Sequence, residues 1–277
     1  MKKSKKTFDY SQTQWGIVEI ENYRSNFQGY ELELLIKYLG KNAKKKLKVL
    51  DLGCGGGNVD GFLKSKFPNW EITGVDISTK ALKIAKANYP KVIFLKRSVE
   101  NLDFDSKSFD LILSLDTLEH FDNPGKVVKS ARSVLEDDGV FFLAIPLEKQ
   151  FPTLYWLMNK FGWDKGKRAS VGHINVFNNV EILNLFIEAG FIETYHSFGG
   201  HLIYTILDYV CFWILRSGKK QKPSFESGLI VMKDGIIKTI ILGLKNLASN
   251  IIYFESKIFS AFPGGRGHYL FRKYDQG

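Results

Sequence analysis

Residues 49–58 read Val-Leu-Asp-Leu-Gly-Cys-Gly-Gly-Gly-Asn, and the fold class follows from them. The run Lys48–Leu52 predicts a buried strand. Gly53, Gly55, Gly56 and Gly57 directly after it predict a strand-to-helix turn. Glycine tolerates positive φ and lets a ligand approach the backbone. In an open α/β sheet, ligands bind at the carboxyl ends of strands. A tight turn without ligand would use the same glycines, so the loop alone does not decide. Its acidic neighbours do. Asp76 closes the next apolar run, Glu71–Val75, where a carboxylate can hold both hydroxyls of a ribose.

Outward from the loop, short apolar runs alternate with helical patterns. Strands are predicted at Lys48–Leu52, Glu71–Val75, Val92–Leu95, Phe109–Leu113 and Val140–Ile145, with a sixth at Phe191–Phe198. Helices are predicted at residues 28–39, Asn58–Phe67, Thr79–Asn88, Pro124–Leu135 and Val180–Glu188, the last capped by Asn178 and Asn179. This alternation implies a parallel sheet covered on both faces. Residues 147–177 are aromatic, glycine-bearing and irregular, and read as a long functional loop or lid. Residues 201–262 change character, with an almost wholly apolar Leu202–Leu215 and an apolar-rich helical pattern at Ile236–Phe262. His268–Arg272 reads as a last strand. The predicted organisation is an N-terminal helical segment (1–44), a nucleoside-binding domain (45–200), a helical apolar insertion (201–263) and a returning strand (264–277).

The chain has 277 residues, 44% hydrophobic and 25% charged, which is ordinary globular composition with room for a sizeable core. The net charge of +10 is largely local, in Lys2–Lys6 and in Lys41–Lys48. No RNA-binding module is legible and the basic residues do not interleave with aromatics, so nucleic acid is not an expected partner. Two cysteines, Cys54 inside the loop and Cys211, suit a reducing compartment. No apolar stretch follows the N-terminal lysines, so a cytoplasmic location is expected.

The cofactor is read from charge. The dinucleotide fingerprint needs a third glycine where this chain has Asn58. Asp51, beside the loop, would disfavour a pyrophosphate but suits a cationic amine. S-adenosylmethionine carries an amine and a sulfonium and no phosphate, so it is preferred over NAD. At this point the chain resembles the class I S-adenosylmethionine-dependent methyltransferases, over roughly residues 45–200. Val49-Leu-Asp-Leu-Gly-Cys-Gly-Gly-Gly57 looks like their first motif and Gly74-Val-Asp-Ile-Ser78 like their ribose motif. Arg97–Phe104 resembles the adenine-contacting segment, Ser108–His120 the fourth-strand motif, and Ala189-Gly190-Phe191 the late helix-strand junction.

The resemblance implies a Rossmann-like seven-stranded, mostly parallel α/β sheet with an antiparallel last strand. It implies cofactor contacts from Asp51, Gly53, Cys54, Gly55, Gly57, Asp76, Ile77, Ser98, Val99 and Ser114. Many relatives have Asp at the position of Ser98, so adenine contact is expected to lean on the Val99 backbone and on Ile77.

Methyl transfer from a sulfonium needs alignment above all. A general base is needed only where the acceptor holds its proton tightly. Glu119, His120 and His173 are the candidate catalytic residues. Asp116, Glu119 and His120, at i, i+3 and i+4, would share a helical face. That Asp-x-x-Glu-His pattern is similar to the Glu-x-x-Glu-His of some metal-dependent methyltransferases, including small-RNA 3′-end and quinone-pathway enzymes. No metal is expected here, and chelator should leave activity intact. Tyr23 and Arg24 are expected to cover the cofactor.

The expected function is methyl transfer, at oxygen, to a small-molecule or lipid-linked acceptor. An RNA methyltransferase and a non-catalytic S-adenosylmethionine-binding protein are the alternatives. Leu202–Leu215 would span about 20 Å as a helix, short of the roughly 30 Å of a bilayer core. Its aromatics and the basic edge at Arg216, Lys219, Lys220 and Lys222 suit peripheral contact, through 201–262, with the inner face of a membrane. A substrate cap and a dimer contact remain alternatives, and the oligomeric state is open.

Overall fold

The computed structural model describes residues 15–24, 28–217 and 235–274. Seven strands form one sheet: β1 (Lys48–Leu52), β2 (Glu71–Asp76), β3 (Ile93–Lys96), β4 (Phe109–Leu115), β5 (Leu135–Pro146), β6 (Phe191–Gly199) and β7 (Arg266–Lys273). The spatial order is β3-β2-β1-β4-β5-β7-β6, and only β7 runs antiparallel to its neighbours. Seven mostly parallel strands with an antiparallel penultimate position match the expected class.

The helices are α1 (Gly29–Leu39), α2 (Asn58–Lys66), α3 (Thr79–Asn88), α4 (Pro124–Val134), α5 (Leu154–Lys160), α6 (Lys165–Val171), α7 (Asn179–Glu188), α8 (Leu202–Ser217) and α9 (Ile236–Ile258). Their apolar stripes divide between the two sheet faces. Leu32, Leu35, Phe62, Leu63 and Leu82 pack with Val49, Leu111 and Leu113 on one side. Val127, Ala131, Ile182 and Phe186 pack with Leu50, Leu52 and Ile112 on the other. Successive residues of β4 thus enter opposite cores, as the period of two requires.

Local signals behave as their chemistry predicts. Ser78 caps α3 by accepting from the Ala81 N–H, and Asn123 caps α4 by accepting from Lys126. Asn178 and Glu181 form a reciprocal capping box on α7. Asn179 does not cap. It is the first helical residue, and its amide oxygen accepts from the Tyr269 hydroxyl at 2.8 Å.

Residues 147–177 differ from the expected irregular loop, because α5 and α6 lie within them. Each has seven residues, too short for apolar periodicity to show, and α5 relies on its Thr153 cap. The insertion leaves the sheet after Gly199 and returns at Arg266. These two residues are paired, and Arg266 also pairs Pro146 at the carboxyl end of β5. Exit and return therefore lie at the ligand edge of the sheet. Among the described residues, no helix is long and apolar enough to cross a membrane. The expected basic runs at Lys2–Lys6 and Lys219–Lys222 lie outside the described residues.

Candidate active site

The loop after β1 requires its glycines. Gly53 and Gly55 sit at φ +76° and +53°, and a Cβ on each would stand 2.8 Å from the Thr117 hydroxyl and the Trp15 carbonyl respectively. Backbone from residues 15–18 closes over the loop. The Trp15 carbonyl accepts from Gly56 N–H at 2.8 Å, and the Gly16 carbonyl from Asn58 N–H at 3.1 Å. Tyr23 and Arg24 are the residues expected to cover the cofactor. Those two side chains instead pack elsewhere, Tyr23 edge-on to Phe62 and Arg24 over Phe254.

Three carboxylates border the loop. Asp76 accepts from Gly55 N–H at 2.9 Å and from Ser78 N–H at 2.7 Å, linking the ends of β1 and β2. Each oxygen keeps a lone pair for a ribose hydroxyl. Asp51 is buried, and burial, reinforced by Asp76, lifts its carboxyl to about 7. Asp60, in the first turn of α2, is completely buried and lies within hydrogen-bonding reach of Asp51, with which it can share a proton. Burial and then Asp51 push it well above the carboxylate range. Buried acids with no base beside them among the described residues could take a positively charged ligand, such as the amine end of S-adenosylmethionine. Cys54 contributes its backbone, with the N–H bonded to the Val75 carbonyl at 3.1 Å. Its thiol is buried against Gly74 and raised by that burial.

On the adenine side, the Arg97 N–H bonds the Asp76 carbonyl, bringing Ser98 and Val99 beside the ribose acid. Ile77 is half exposed, a platform suited to a flat ring. Val99 is buried, and the exposed Ser98 directs its hydroxyl to the Glu100 N–H. Ser114 lies within the sheet, its hydroxyl buried and unpartnered, level with Leu52 and Leu143.

The segment after β4 joins this cradle to the other half of the site. Thr117 donates to the Leu52 carbonyl at 2.8 Å and touches Gly53. Two residues on, Glu119 is completely buried, and neither of its oxygens has a hydrogen-bond partner among the described residues. Burial, only partly offset by His173, lifts its carboxyl to about 8. The Nε2 atoms of His120 and His173 stand 3.9 and 3.7 Å from Glu119 Oε1. Each ring is oriented from behind: His120 Nδ1 contacts the Gly172 carbonyl and His173 Nδ1 contacts Glu148 Oε1, both at 3.1 Å. Burial lowers the His120 pKa. The three expected catalytic residues are therefore together. One oxygen and two imidazole nitrogens within 4.8 Å of one another also form a donor set for a divalent cation, with Gly172 and Glu148 as outer supports.

Asp116 does not share their face. It takes φ +51°, and Leu118–His120 is a single 3₁₀ turn, so no α-helical i, i+3, i+4 surface forms. Its carboxylate pairs with Arg266 at 2.8 Å. Arg266 is itself buried and bonded to Glu31 at 2.6 Å, with His268 at 3.5 Å from the same oxygen. Glu31, Asp60, Glu148 and Arg266 are site residues that the sequence reading missed. An acid on the apolar side of α1 and an acid just past the carboxyl end of β5 were the available cues for Glu31 and Glu148.

The family model described as "Methyltransferase domain" matches residues 23–193, well over half of the chain. The chain is 32% identical over 108 residues to a ubiquinone biosynthesis O-methyltransferase of Glaesserella parasuis, covering 35% of this chain and 44% of that protein. It is 37% identical over 107 residues to a demethylmenaquinone methyltransferase of Thermotoga maritima, covering 38% and 47%. The chain thus spans less than half the length of these curated relatives. The YcgJ protein of Bacillus subtilis shares the fold, with a TM-score of 0.57 at 18% identity over 90% of this chain and 99% of that one. With the glycine cradle and the sheet order, these matches place the chain in the class I, Rossmann-like family of S-adenosylmethionine-dependent methyltransferases.

Proposed function

We propose that the protein transfers a methyl group from S-adenosylmethionine to a hydroxyl of a small or lipid-linked acceptor, working at the inner face of a membrane. The observation that carries this reading is the Glu119–His120–His173 cluster, which Thr117 ties directly to the donor loop. The acceptor oxygen attacks the methyl carbon, the carbon–sulfur bond breaks, and its electron pair returns to sulfur. The hydroxyl proton passes to His173 Nε2, whose other nitrogen is held by Glu148 in a carboxylate–imidazole pair. Relatives named for ubiquinone and menaquinone chemistry support an aromatic, apolar-tailed acceptor.

The test is transfer of radiolabelled methyl to hydroxylated aromatic acceptors with and without an isoprenoid tail. Labelled, organic-extractable product lost in His173→Ala supports the reading, and no transfer to any of them overturns it.

A second reading is favoured by the two unpartnered oxygens of buried Glu119. A divalent cation held by Glu119, His120 and His173 would lower the proton affinity of a bound hydroxyl. In the first reading chelator leaves turnover unchanged. Loss of turnover on chelation, with recovery on adding a divalent metal, selects the second.

A further inference from the structure

The insertion leaves a long apolar stripe on its outer surface. Along α9, Ile240, Leu244, Leu247, Ile251, Phe254 and Ile258 recur every three or four residues, and all are exposed. The side turned into the protein buries Ile252 and Tyr253, and with them Lys245, Ser249, Glu255 and Ser256, each under 10% exposed. A helix on the surface of a globular protein normally keeps its outer face polar. This stripe is about 27 Å long at 1.5 Å per residue, far more than scattered apolar surface residues. In α8, Leu202, Ile203, Ile206 and Val210 are likewise exposed while Thr205 is buried.

The acids explain how such helices are held. Asp208 and Glu255 are the only acidic residues in α8 and α9. Asp208 is bonded by Tyr155 of α5 and Lys167 of α6. The Glu255 carboxylate accepts from the N–H groups of Ile203 and Tyr204 at 2.7 and 3.1 Å, closing the start of α8. Both acids are thus engaged with the protein, and the outer face is left with apolar groups and bases. Arg24 lies over Phe254 at 5.2 Å, and exposed Lys257, paired with Glu33 of α1 at 3.6 Å, follows on the same helix. On the lid, stacked Phe161 and Trp163 are exposed between exposed Lys160 and Lys165.

We infer that α8, α9 and the aromatic lid seat the protein on an anionic lipid bilayer surface. Apolar side chains enter the headgroup boundary there, and lysines meet the headgroups. The α9 spacing would also fit a second copy of the chain. Paired helices, however, use rim charges of both signs, and the acid that borders α9, Glu33, is already taken by Lys257 and Tyr253 of α9 itself. The insertion joins the sheet at the edge where Asp116 lies, so its two ends flank the acceptor end of the site. This deepens the lipid-linked reading of the acceptor, while its test does not depend on turnover.

The full chain is sedimented with phosphatidylcholine vesicles, with and without about one-third phosphatidylglycerol. Retention on the anionic vesicles is expected, weakened by high salt. The double variant I251E/F254E, altered only at exposed positions, should bind them about ten-fold or more weakly. Its S-adenosylmethionine affinity by calorimetry should match that of the parent. No retention at low salt overturns the inference. So does a dimer, seen by sedimentation velocity, that the double variant dissociates, because a second copy would then occupy the face. Failure of the parent chain to bind S-adenosylmethionine would instead undermine the methyltransferase reading.

Discussion

Cofactor affinity should depend on pH through Asp51. An isolated aspartate ionises near 3.8, but burial and Asp76 lift Asp51 to about 7, while Asp60 beside it is pushed well above the carboxylate range. Near neutrality the unliganded pair holds at least one proton, and Asp51 is the group poised to lose it. A cationic amine in the cradle favours the ionised form. Binding then requires the fraction of protein with Asp51 ionised, roughly three-quarters at pH 7.5 and roughly one-tenth at pH 6. Affinity should fall about eight-fold between these values, and about half a proton should be released per ligand bound near pH 7.

Titration calorimetry in two buffers of different ionisation heat reads both quantities. Asp51→Asn should bind weakly and lose the slope. The sign for stability is opposite to that of a salt-bridged acid. Because the folded pKa is raised, the unliganded fold holds a proton that the unfolded chain has released. This group's contribution to stability therefore declines as pH rises from about 4 to about 7. A flat affinity profile, an enthalpy independent of buffer, or an unchanged slope in Asp51→Asn would refute the reasoning.

Two further outcomes follow from the packing. Gly55→Val places a branched side chain at φ +53° against the Trp15 carbonyl, so the variant should fold but bind S-adenosylmethionine at least about ten-fold more weakly by calorimetry. Arg266→Met strands Glu31 in the interior, where Arg266 and His268 otherwise outweigh burial and hold its carboxyl below the usual range. Urea unfolding should show a loss of about 3–5 kcal/mol, and Glu31→Leu in the same chain should restore part of it. The Glu31 contribution is fully present above its ordinary carboxylate pKa and is lost as pH falls through the lowered one, so the Arg266→Met deficit should shrink in acid.

The sequence by itself determined the sheet and the donor cradle, because both are local. Alternating apolar runs set the strands, and one stretch of ten residues carries the loop, its acid and the start of the next helix. Asp76 was legible because it ends the very next strand. The acceptor side was legible only in part. Glu119 and His120 stood out by type and position, but their grouping with His173 joins chain segments more than fifty residues apart. Glu148 and the Glu31–Arg266–Asp116 network were hidden for the same reason, since a buried charge is recognisable only beside its partner. The helical face expected of Asp116, Glu119 and His120 failed because Asp116 adopts a left-handed φ that no neighbouring residue signals. The apolar insertion was visible as composition. Which side of α8 and α9 faces water was decided by tertiary contacts alone, since Asp208 and Glu255 find their partners inside and leave the apolar stripe outward.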